Sequence, residues 1–244
     1  MKVSSIILTT IIAIAGCTNQ AKTAIADTTH TISKMTVTDT LTYLALGDSY
    51  TIGEAVPQQQ SFPFQLTALL AAHSVNVAPP TVIATTGWTT DQLINAVNTS
   101  GIHTKTYDIV TLLIGVNDQY RGLSQSNYRT KFIQVLNTAI SLAKGDKRRV
   151  FVLSIPDWGV TPFAKGQDDI IGPQIDQFNS INKEESQKAG VNYLDITGLS
   201  RQAKTDLELV AEDDLHPSGK MYGQWVARLE PMIREQLKVF KKND

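Results

Sequence analysis

The sequence predicts an α/β fold in which helices cover both faces of a five-stranded parallel sheet, giving three layers. From Leu41 onward, short apolar runs alternate with longer segments of helical periodicity. The apolar runs are nearly continuous rather than alternating, which is typical of strands buried on both faces of a parallel sheet. No internal repeat or low-complexity insert indicates a second domain.

The predicted strands and helices alternate along the chain. Each strand is a short apolar run, and the five runs are Tyr43–Leu46, Thr81–Ala84, Asp108–Ile114, Val150–Ile155 and Val191–Ile196. The third has the strongest pattern because it is apolar and β-branched almost throughout. Each helix places its apolar residues on one face, and the five predicted helices are Gln65–His73, Thr90–Val97, Asn127–Ala143, Gln174–Ala189 and Pro217–Val239. Gly190 is predicted to end the fourth helix, and Pro217 to lie in the first turn of the last.

The N-terminus has the features of an export signal. Lys2 precedes an apolar stretch, Ile6–Ala15, that has the length of a signal-peptide core and is too short to cross a bilayer. Cys17, the single cysteine, follows small residues, and the segment resembles the lipobox of bacterial lipoproteins. This resemblance predicts a lipoprotein signal peptide over 1–16 and a lipid anchor on Cys17. The alternative is an ordinary secretory signal with an incidental cysteine.

The resemblance also predicts where the protein resides. A lipid-anchored chain belongs in the cell envelope, and Thr18 after the cysteine favours the outer membrane in a cell that has one. Residues 17–40 are rich in threonine and predict a tether, or alternatively a poorly patterned first strand. The catalytic domain is predicted over 41–244.

Charge and motifs exclude several classes of function. The 22 basic and 23 acidic residues nearly balance, so no electrostatic footprint for nucleic acid is present. No histidine pair has metal-ligand spacing, and the only cysteine belongs to the signal, so neither metal nor cofactor is expected. The Gly-x-Ser-x-Gly elbow of the larger α/β-hydrolase superfamily is missing from the sequence.

Polar clusters follow the predicted strands, where ligands bind in open parallel sheets. The clusters are Gly47–Ser49, Thr86–Trp88, Gly115–Asp118, Pro156–Trp158 and, after an intervening segment, Asp213–His216. Because the carboxyl ends of parallel strands share one edge, we expect these groups to converge there.

Three of these residues have the chemistry of a serine hydrolase. Ser49 is the candidate nucleophile and His216 the candidate general base, since imidazole titrates near neutral pH. Asp213 is the candidate partner that orients the imidazole, and Asp214 is the lesser candidate. Taken singly, each has an ordinary structural explanation, such as a helix cap for Asp-Ser or a solvated loop charge.

An oxyanion hole is predicted from three donors: the amide of Ser49, the amide of Gly87 and the side-chain amide of Asn117. Alone, Gly87 is equally consistent with a turn glycine, and Asn117 with strand-end turn chemistry.

The conjunction of motifs resembles the SGNH, or GDSL, hydrolase family. The motifs that carry the resemblance are Gly47-Asp48-Ser49, Gly87, Gly115-Val116-Asn117-Asp118 and Asp213-Asp214-Leu215-His216, in family order. The resemblance implies a flavodoxin-like fold, a Ser49–His216–Asp213 triad and an oxyanion hole of Ser49, Gly87 and Asn117. Tyr50 departs from the commoner Leu or Ile after the serine, and we expect it to reshape the pocket rim.

The sequence therefore predicts a serine esterase that cleaves carboxylic esters through an acyl-enzyme. A carbohydrate O-deacetylase is the alternative, because Trp88, Tyr120 and Trp158 lie on the predicted rim and aromatic rings stack on sugars. Ordinary packing equally explains those rings. A lysophospholipase or acyl thioesterase of the same fold also fits, and a non-catalytic surface-binding lipoprotein is the alternative from another class.

Overall fold

A computed structural model describes residues 40–243, with side chains through Lys238. The predicted signal peptide over 1–16, the lipidation site Cys17 and the tether up to residue 39 lie outside the described residues. Within the described part, no helix is long and apolar enough to span a membrane.

Five parallel strands form one sheet, as predicted. They are β1 Tyr43–Gly47, β2 Thr81–Ala84, β3 Ile109–Leu113, β4 Val150–Leu153 and β5 Asn192–Leu194. Their order across the sheet is β2-β1-β3-β4-β5. In the register of β1, Ala45 pairs with Val82 on one side and Thr111 on the other. This strand order is the flavodoxin-like one.

Burial follows position in the sheet. Every residue of β1, β3 and β4 is buried, whereas the edge strands β2 and β5 are only partly buried. Central strands of a parallel sheet are covered by helices on both faces, which explains their unbroken apolar composition.

Eight α-helices of the described residues surround the sheet. They are α1 Ser49–Ile52, α2 Phe62–Ala72, α3 Thr90–Thr99, α4 Val116–Tyr120, α5 Gln125–Leu142, α6 Asp168–Ala189, α7 Thr197–Ser200 and α8 Gly219–Asn243. Helix α2 packs against α8, while α3, α5 and α6 pack side by side. The connection from β1 to β2 moves across the sheet in one direction, and the connections from β2 to β3, β3 to β4 and β4 to β5 move in the other. Because such crossovers are right-handed, α2 lies on one face of the sheet and α3, α5 and α6 lie on the other. The three predicted layers are confirmed.

Four helix starts differ from the prediction. Helices α2 and α5 begin three and two residues early, at Phe62 and Gln125. Helix α6 begins at Asp168, six residues early, and continues through Pro173 in its second turn. Pro217 is not in the first turn of α8, contrary to the prediction, because it forms a bridge with Val210 and the helix begins at Gly219. Ser218 takes the capping role instead, since its hydroxyl accepts from the Met221 amide at 3.3 Å.

The topology brings two strand ends together at a switch point. From β1 the chain crosses to β2 on one side, and from β2 it crosses back over β1 to β3 on the other. A crevice for ligands opens where neighbouring connections leave in opposite directions. The segments that follow β1 and β3 begin the short helices α1 and α4, which carry Ser49 and Asn117.

Candidate active site

Ser49 is the first residue of α1, directly after β1. Its neighbour Asp48 caps this helix, because the Asp48 Oδ1 atom accepts from the Tyr50 amide at 3.0 Å. The Ser49 side chain is nearly buried, with 5% of its surface exposed. Gly47 has no room for a side chain, since a Cβ atom would collide with the Thr51 side chain and the Leu113 carbonyl. Steric crowding, rather than a left-handed backbone, thus requires glycine before the Asp-Ser pair.

His216 contacts Asp213, the partner that the sequence favoured. The Nδ1–H of His216 donates to Asp213 Oδ2 at 2.5 Å. Asp213 Oδ1 accepts from the His216 amide at 2.9 Å and from the Leu215 amide at 3.1 Å. The carboxylate therefore holds both the imidazole and the backbone that carries it.

These contacts also keep Asp213 charged. Partial burial alone would raise the pKa of its carboxyl, but the hydrogen bonds from the His216 side chain and from the His216 and Leu215 amides outweigh burial. The pKa lies below its ordinary value. An ionised Asp213 fixes the imidazole tautomer with its proton on Nδ1.

Asp214 occupies a different environment. Its backbone is left-handed, with φ of 63°, its side chain is exposed, and its carbonyl accepts from the Phe163 amide at 3.0 Å. The described contacts of Asp214 thus join two loops and do not involve His216.

The two remaining oxyanion candidates lie next to each other. Gly87 has φ of +79°, a conformation that glycine adopts readily and other residues rarely. The Asn117 Nδ2 donates to the Trp88 carbonyl at 3.0 Å, which uses one of its two hydrogens. Within the described chain, the backbone amides of Ser49 and Gly87 donate to no protein acceptor. Each of the three residues therefore retains a donor for a ligand.

One cavity of about 190 Å³ joins these groups. Its lining includes the predicted residues Ser49, Gly87, Asn117 and His216. The lining also contains Tyr50, Thr86, Val116, Tyr120, Trp158, Phe163 and Leu215. We call this space the catalytic cavity. In the described structure the Ser49 hydroxyl makes no hydrogen bond with His216, a common situation in enzymes without bound substrate.

Of the three aromatic residues predicted for the rim, two line the catalytic cavity. Tyr120 and Trp158 line the catalytic cavity, and their ring centres lie 5.5 Å apart. Tyr120 is 59% exposed at the mouth, whereas Trp158 is 9% exposed. Trp88 is not among the residues that line the catalytic cavity; it is partly buried and packs against the core. Its role as a rim residue stays a prediction, with ordinary packing as the alternative.

Sequence reasoning missed Phe163. Its ring lies 6.1 Å from that of Trp158 and extends the aromatic wall of the cavity. The sequence contained one indication of this position: Phe163 follows the predicted Pro156–Trp158 cluster by only five residues. Its position depends on the bond to the Asp214 carbonyl, which the sequence does not reveal.

Tyr50, the departure noted in the serine motif, packs against the base. Its ring centre lies 5.4 Å from that of His216, at an interplanar angle of 59°. Burial, together with the carboxylates of Asp48, Asp157 and Asp213, raises the pKa of the Tyr50 hydroxyl, so the ring stays neutral. Tyr50 is thus both a wall of the catalytic cavity and a support for the imidazole.

Asp48 is fully buried and has an unusual acidity. Burial, assisted by repulsion from Asp118, raises the pKa of its carboxyl to about 8, although the Tyr50 amide opposes the shift. Its Oδ2 atom has no hydrogen-bond partner in the described chain. Burial therefore favours the protonated form of Asp48.

No three His, Cys, Asp or Glu side chains of the described residues are grouped so that they could hold a metal ion. The polar groups of the catalytic cavity are instead a hydroxyl, an imidazole with its carboxylate, and amide donors. Such a set suits nucleophilic attack on a carbonyl carbon.

The comparisons with solved structures agree with this fold. A psychrotrophic esterase from Pseudoalteromonas sp. matches with a TM-score of 0.63 and 16% identity, over 81% of this chain and 99% of that one. An acetylxylan esterase from Geobacillus stearothermophilus matches with a TM-score of 0.63 and 18% identity, over 79% of this chain and 94% of that one. A lipase/acylhydrolase from Enterococcus faecalis matches with a TM-score of 0.60 and 20% identity, over 80% and 94%.

Comparison of the sequence with known protein families gives a match over most of the chain. No curated protein matches the chain significantly. The model of the GDSL-like lipase/acylhydrolase family matches residues 45–224, which is most of the chain and includes every residue of the catalytic motifs. The chain belongs to this GDSL-like lipase/acylhydrolase family and is a hydrolase of carboxylic esters.

Proposed function

We propose that the protein is a serine esterase that works through an acyl-enzyme, with Ser49 as nucleophile, His216 as base and Asp213 as the orienting carboxylate. The observation that carries this proposal is the shared cavity. Ser49 and His216 line the same space, and His216 is bonded to Asp213 at 2.5 Å. With Nδ1 engaged by Asp213, Nε2 is the nitrogen available to the serine.

The chemistry proceeds in two halves. The Ser49 hydroxyl attacks the ester carbonyl while His216 takes its proton, and the imidazolium then returns that proton to the leaving alcohol. Water, deprotonated by His216, next attacks the acyl-enzyme; the bond from the acyl carbon to Ser49 Oγ breaks, the acid is released, and the imidazolium returns its proton to Ser49 Oγ. Negative charge on the carbonyl oxygen in both steps is stabilised by the Ser49 and Gly87 amides and the free hydrogen of Asn117 Nδ2, each worth about 10²–10³ in rate.

Size and lining of the cavity favour short acyl groups. A volume of about 190 Å³, bounded by Val116, Tyr120, Trp158 and Phe163, suits a compact apolar group better than a long chain. A carbohydrate O-deacetylase is the second candidate, because the exposed Tyr120 ring is available to stack on a sugar that carries the ester. A lysophospholipase or thioesterase requires a longer acyl group, and a profile of activity against acyl chain length separates these cases.

Ser49→Ala is the decisive variant. Removing the nucleophile is expected to lower kcat/KM for p-nitrophenyl acetate by at least about 10⁴-fold, since a triad without its nucleophile retains only binding and oxyanion stabilisation. Wild-type protein should be labelled by a fluorophosphonate at Ser49. Ser180→Ala, which alters an exposed serine of α6, is the matched control and should hydrolyse the ester normally. Undiminished hydrolysis by Ser49→Ala would refute the mechanism.

We further propose that the protein is held at the cell envelope by lipid on Cys17, the outer membrane being its site in a cell with two membranes. Support comes from the sequence alone: the apolar stretch Ile6–Ala15 followed by small residues and a single cysteine. The tether over 17–40 would then separate the domain from the bilayer.

A further inference from the structure

A second cavity of about 340 Å³ adjoins the loop between α4 and α5. Helix α4 contributes to both cavities: Asn117 and Tyr120 line the catalytic cavity, and Gln119 lines the second. The rest of the second lining comes from the following loop, the start of α5 and the middle of α6. Four glutamines dominate it, and we call it the glutamine cavity: Gln119, Gln125, Gln174 and Gln177.

The lining of the glutamine cavity is polar but uncharged. None of the described residues that line it is an acid or a base. Apolar surface comes mainly from the exposed side chain of Leu123, because Phe178 is almost completely buried. Amide groups beside apolar surface match a sugar ring, which has apolar faces and a rim of hydroxyls that both donate and accept.

The glutamines are held in pairs that leave further hydrogen-bonding capacity. Gln125 Nε2 donates to Gln177 Oε1 at 2.5 Å, and Gln119 Nε2 donates to Gln174 Oε1 at 2.7 Å. The Nε2 groups of Gln174 and Gln177 and the Oε1 atom of Gln125 have no partner among the described residues. Donors and an acceptor are therefore oriented by their partners and remain available to a ligand.

One buried side chain connects the two cavities. Gln119, which is 7% exposed, accepts from the Trp158 Nε1–H at 2.9 Å and donates to Gln174. Since Trp158 lines the catalytic cavity, the chain Trp158–Gln119–Gln174 forms a hydrogen-bonded wall with a cavity at each end.

We propose that the glutamine cavity binds uncharged sugar units of a glycan whose ester group enters the catalytic cavity. The binding of sugar stands on the glutamine cavity itself, whereas the identity of the cleaved ester rests on the proposed function. An anionic ligand would find no counter-charge in this lining. An acyl chain would bury amides without partners, at a cost of about 1–3 kcal/mol for each.

Isothermal titration of the full chain with xylotetraose and with N,N′,N″,N‴-tetraacetylchitotetraose tests the proposal. Wild type is expected to bind at least one of these uncharged tetrasaccharides. The double variant Gln174→Leu/Gln177→Leu should bind it at least tenfold more weakly, since two hydrogen-bonding groups are lost. Gln187→Leu alters an exposed glutamine of α6 outside the cavity and should bind like wild type.

A second variant covers the case in which the double variant does not fold. Gln125→Leu changes the first residue of α5 and should also weaken binding of the tetrasaccharide. Failure of wild type to bind either tetrasaccharide, or equal affinity in folded wild type and both cavity variants, overturns the proposal.

The two proposals fail separately. Wild type that hydrolyses p-nitrophenyl acetate but binds neither tetrasaccharide overturns the glycan site and leaves the esterase intact. Wild type that binds a tetrasaccharide through the glutamines, but is neither active nor labelled by a fluorophosphonate, supports the sugar site and refutes the triad.

Discussion

Two adjacent aspartates show how the backbone of one loop assigns different environments to identical side chains. Asp213 accepts from the imidazole and from two amides, whereas Asp214 adopts a left-handed backbone and an exposed side chain. Of the two carboxylates, only that of Asp213 is bonded to the His216 imidazole, so Asp213 is the one proposed to stabilise an imidazolium.

Substituting each aspartate by asparagine tests this assignment. Asp213→Asn should lower kcat/KM for an aryl acetate by about 10⁴-fold, because an amide neither stabilises the imidazolium nor holds its tautomer. Asp214→Asn is the matched control and should act like wild type, as asparagine tolerates the left-handed conformation. Equal losses in both variants would contradict the triad as proposed.

Asp48 links the serine motif to stability. Its pKa of about 8 in the folded protein exceeds the ordinary value of 3.8 expected for the unfolded chain. Between these pH values the folded state retains a proton that the unfolded state has lost, so the free energy of unfolding falls as pH rises. Above about pH 8 this contribution levels off.

Asp48→Asn should remove that dependence, because an amide stays neutral at every pH. Tm measured from pH 4 to pH 9 should fall in wild type relative to the variant, with the difference growing up to about pH 8 and then remaining constant. Asp169→Asn alters an exposed acid at the start of α6 and should leave the wild-type profile unchanged in shape. Parallel profiles for wild type and Asp48→Asn would show that the carboxyl ionises normally.

At the scale of elements, the short helix α4 organises the proposed oxyanion donors. It carries Asn117, whose side-chain amide donates to the Trp88 carbonyl, and it is followed by Arg121, whose Nη2 donates to the Gly87 carbonyl at 2.6 Å. Thr86 is held from another direction by a short hydrogen bond to Glu54. The loop that presents the Gly87 amide is thus fixed by contacts from α4 and from the segment after α1.

Arg121→Ala should loosen this loop. We expect kcat for an aryl acetate to fall about tenfold, the equivalent of about 1.4 kcal/mol, with KM little changed, because the oxyanion forms only during reaction. Arg121→Lys should restore part of the rate, as it keeps a donor. Arg228→Ala, an exposed arginine of α8, is the control. A rise in KM without loss of kcat would indicate that Arg121 contacts substrate instead.

At the scale of the whole molecule, the candidate site depends on the order of strands. The serine follows β1 and the asparagine follows β3, and these strands are neighbours because the chain crosses β1 between β2 and β3. His216 arrives from the segment between β5 and α8, more than 160 residues later in the chain. All the proposed catalytic residues lie in the described domain.

Anchoring is the remaining property of the whole molecule, and Cys17→Ala tests it. Wild type should sediment with the membrane fraction of the producing bacterium and incorporate labelled fatty acid, since acyl chains partition into the bilayer. The variant should lose the label and appear in soluble fractions, whereas Ser49→Ala should stay anchored. Membrane association that survives loss of Cys17 would contradict the lipid anchor.

Local pattern in the sequence was sufficient to predict all five strands and the five longer helices. Apolar runs and helical periodicity are properties of neighbouring residues, so they can be read without knowing the fold. The start of α6 was predicted too late, because the sequence pattern placed it after Pro173, whereas the helix contains this proline in its second turn. The start of α8 was predicted too early, because Pro217 forms a bridge with Val210, a contact outside the helical segment.

The sequence by itself determined the family and the candidate residues Ser49, Gly87, Asn117, Asp213 and His216, since short motifs in a fixed order carry that information. Only the tertiary structure decided which side chains share a space: it placed Phe163 in the wall of the catalytic cavity, packed Trp88 against the core, and connected Trp158 through Gln119 to a second cavity. The physical reason is that side-chain neighbours across helices and loops are set by packing and hydrogen bonds between distant segments, and no local pattern encodes those contacts.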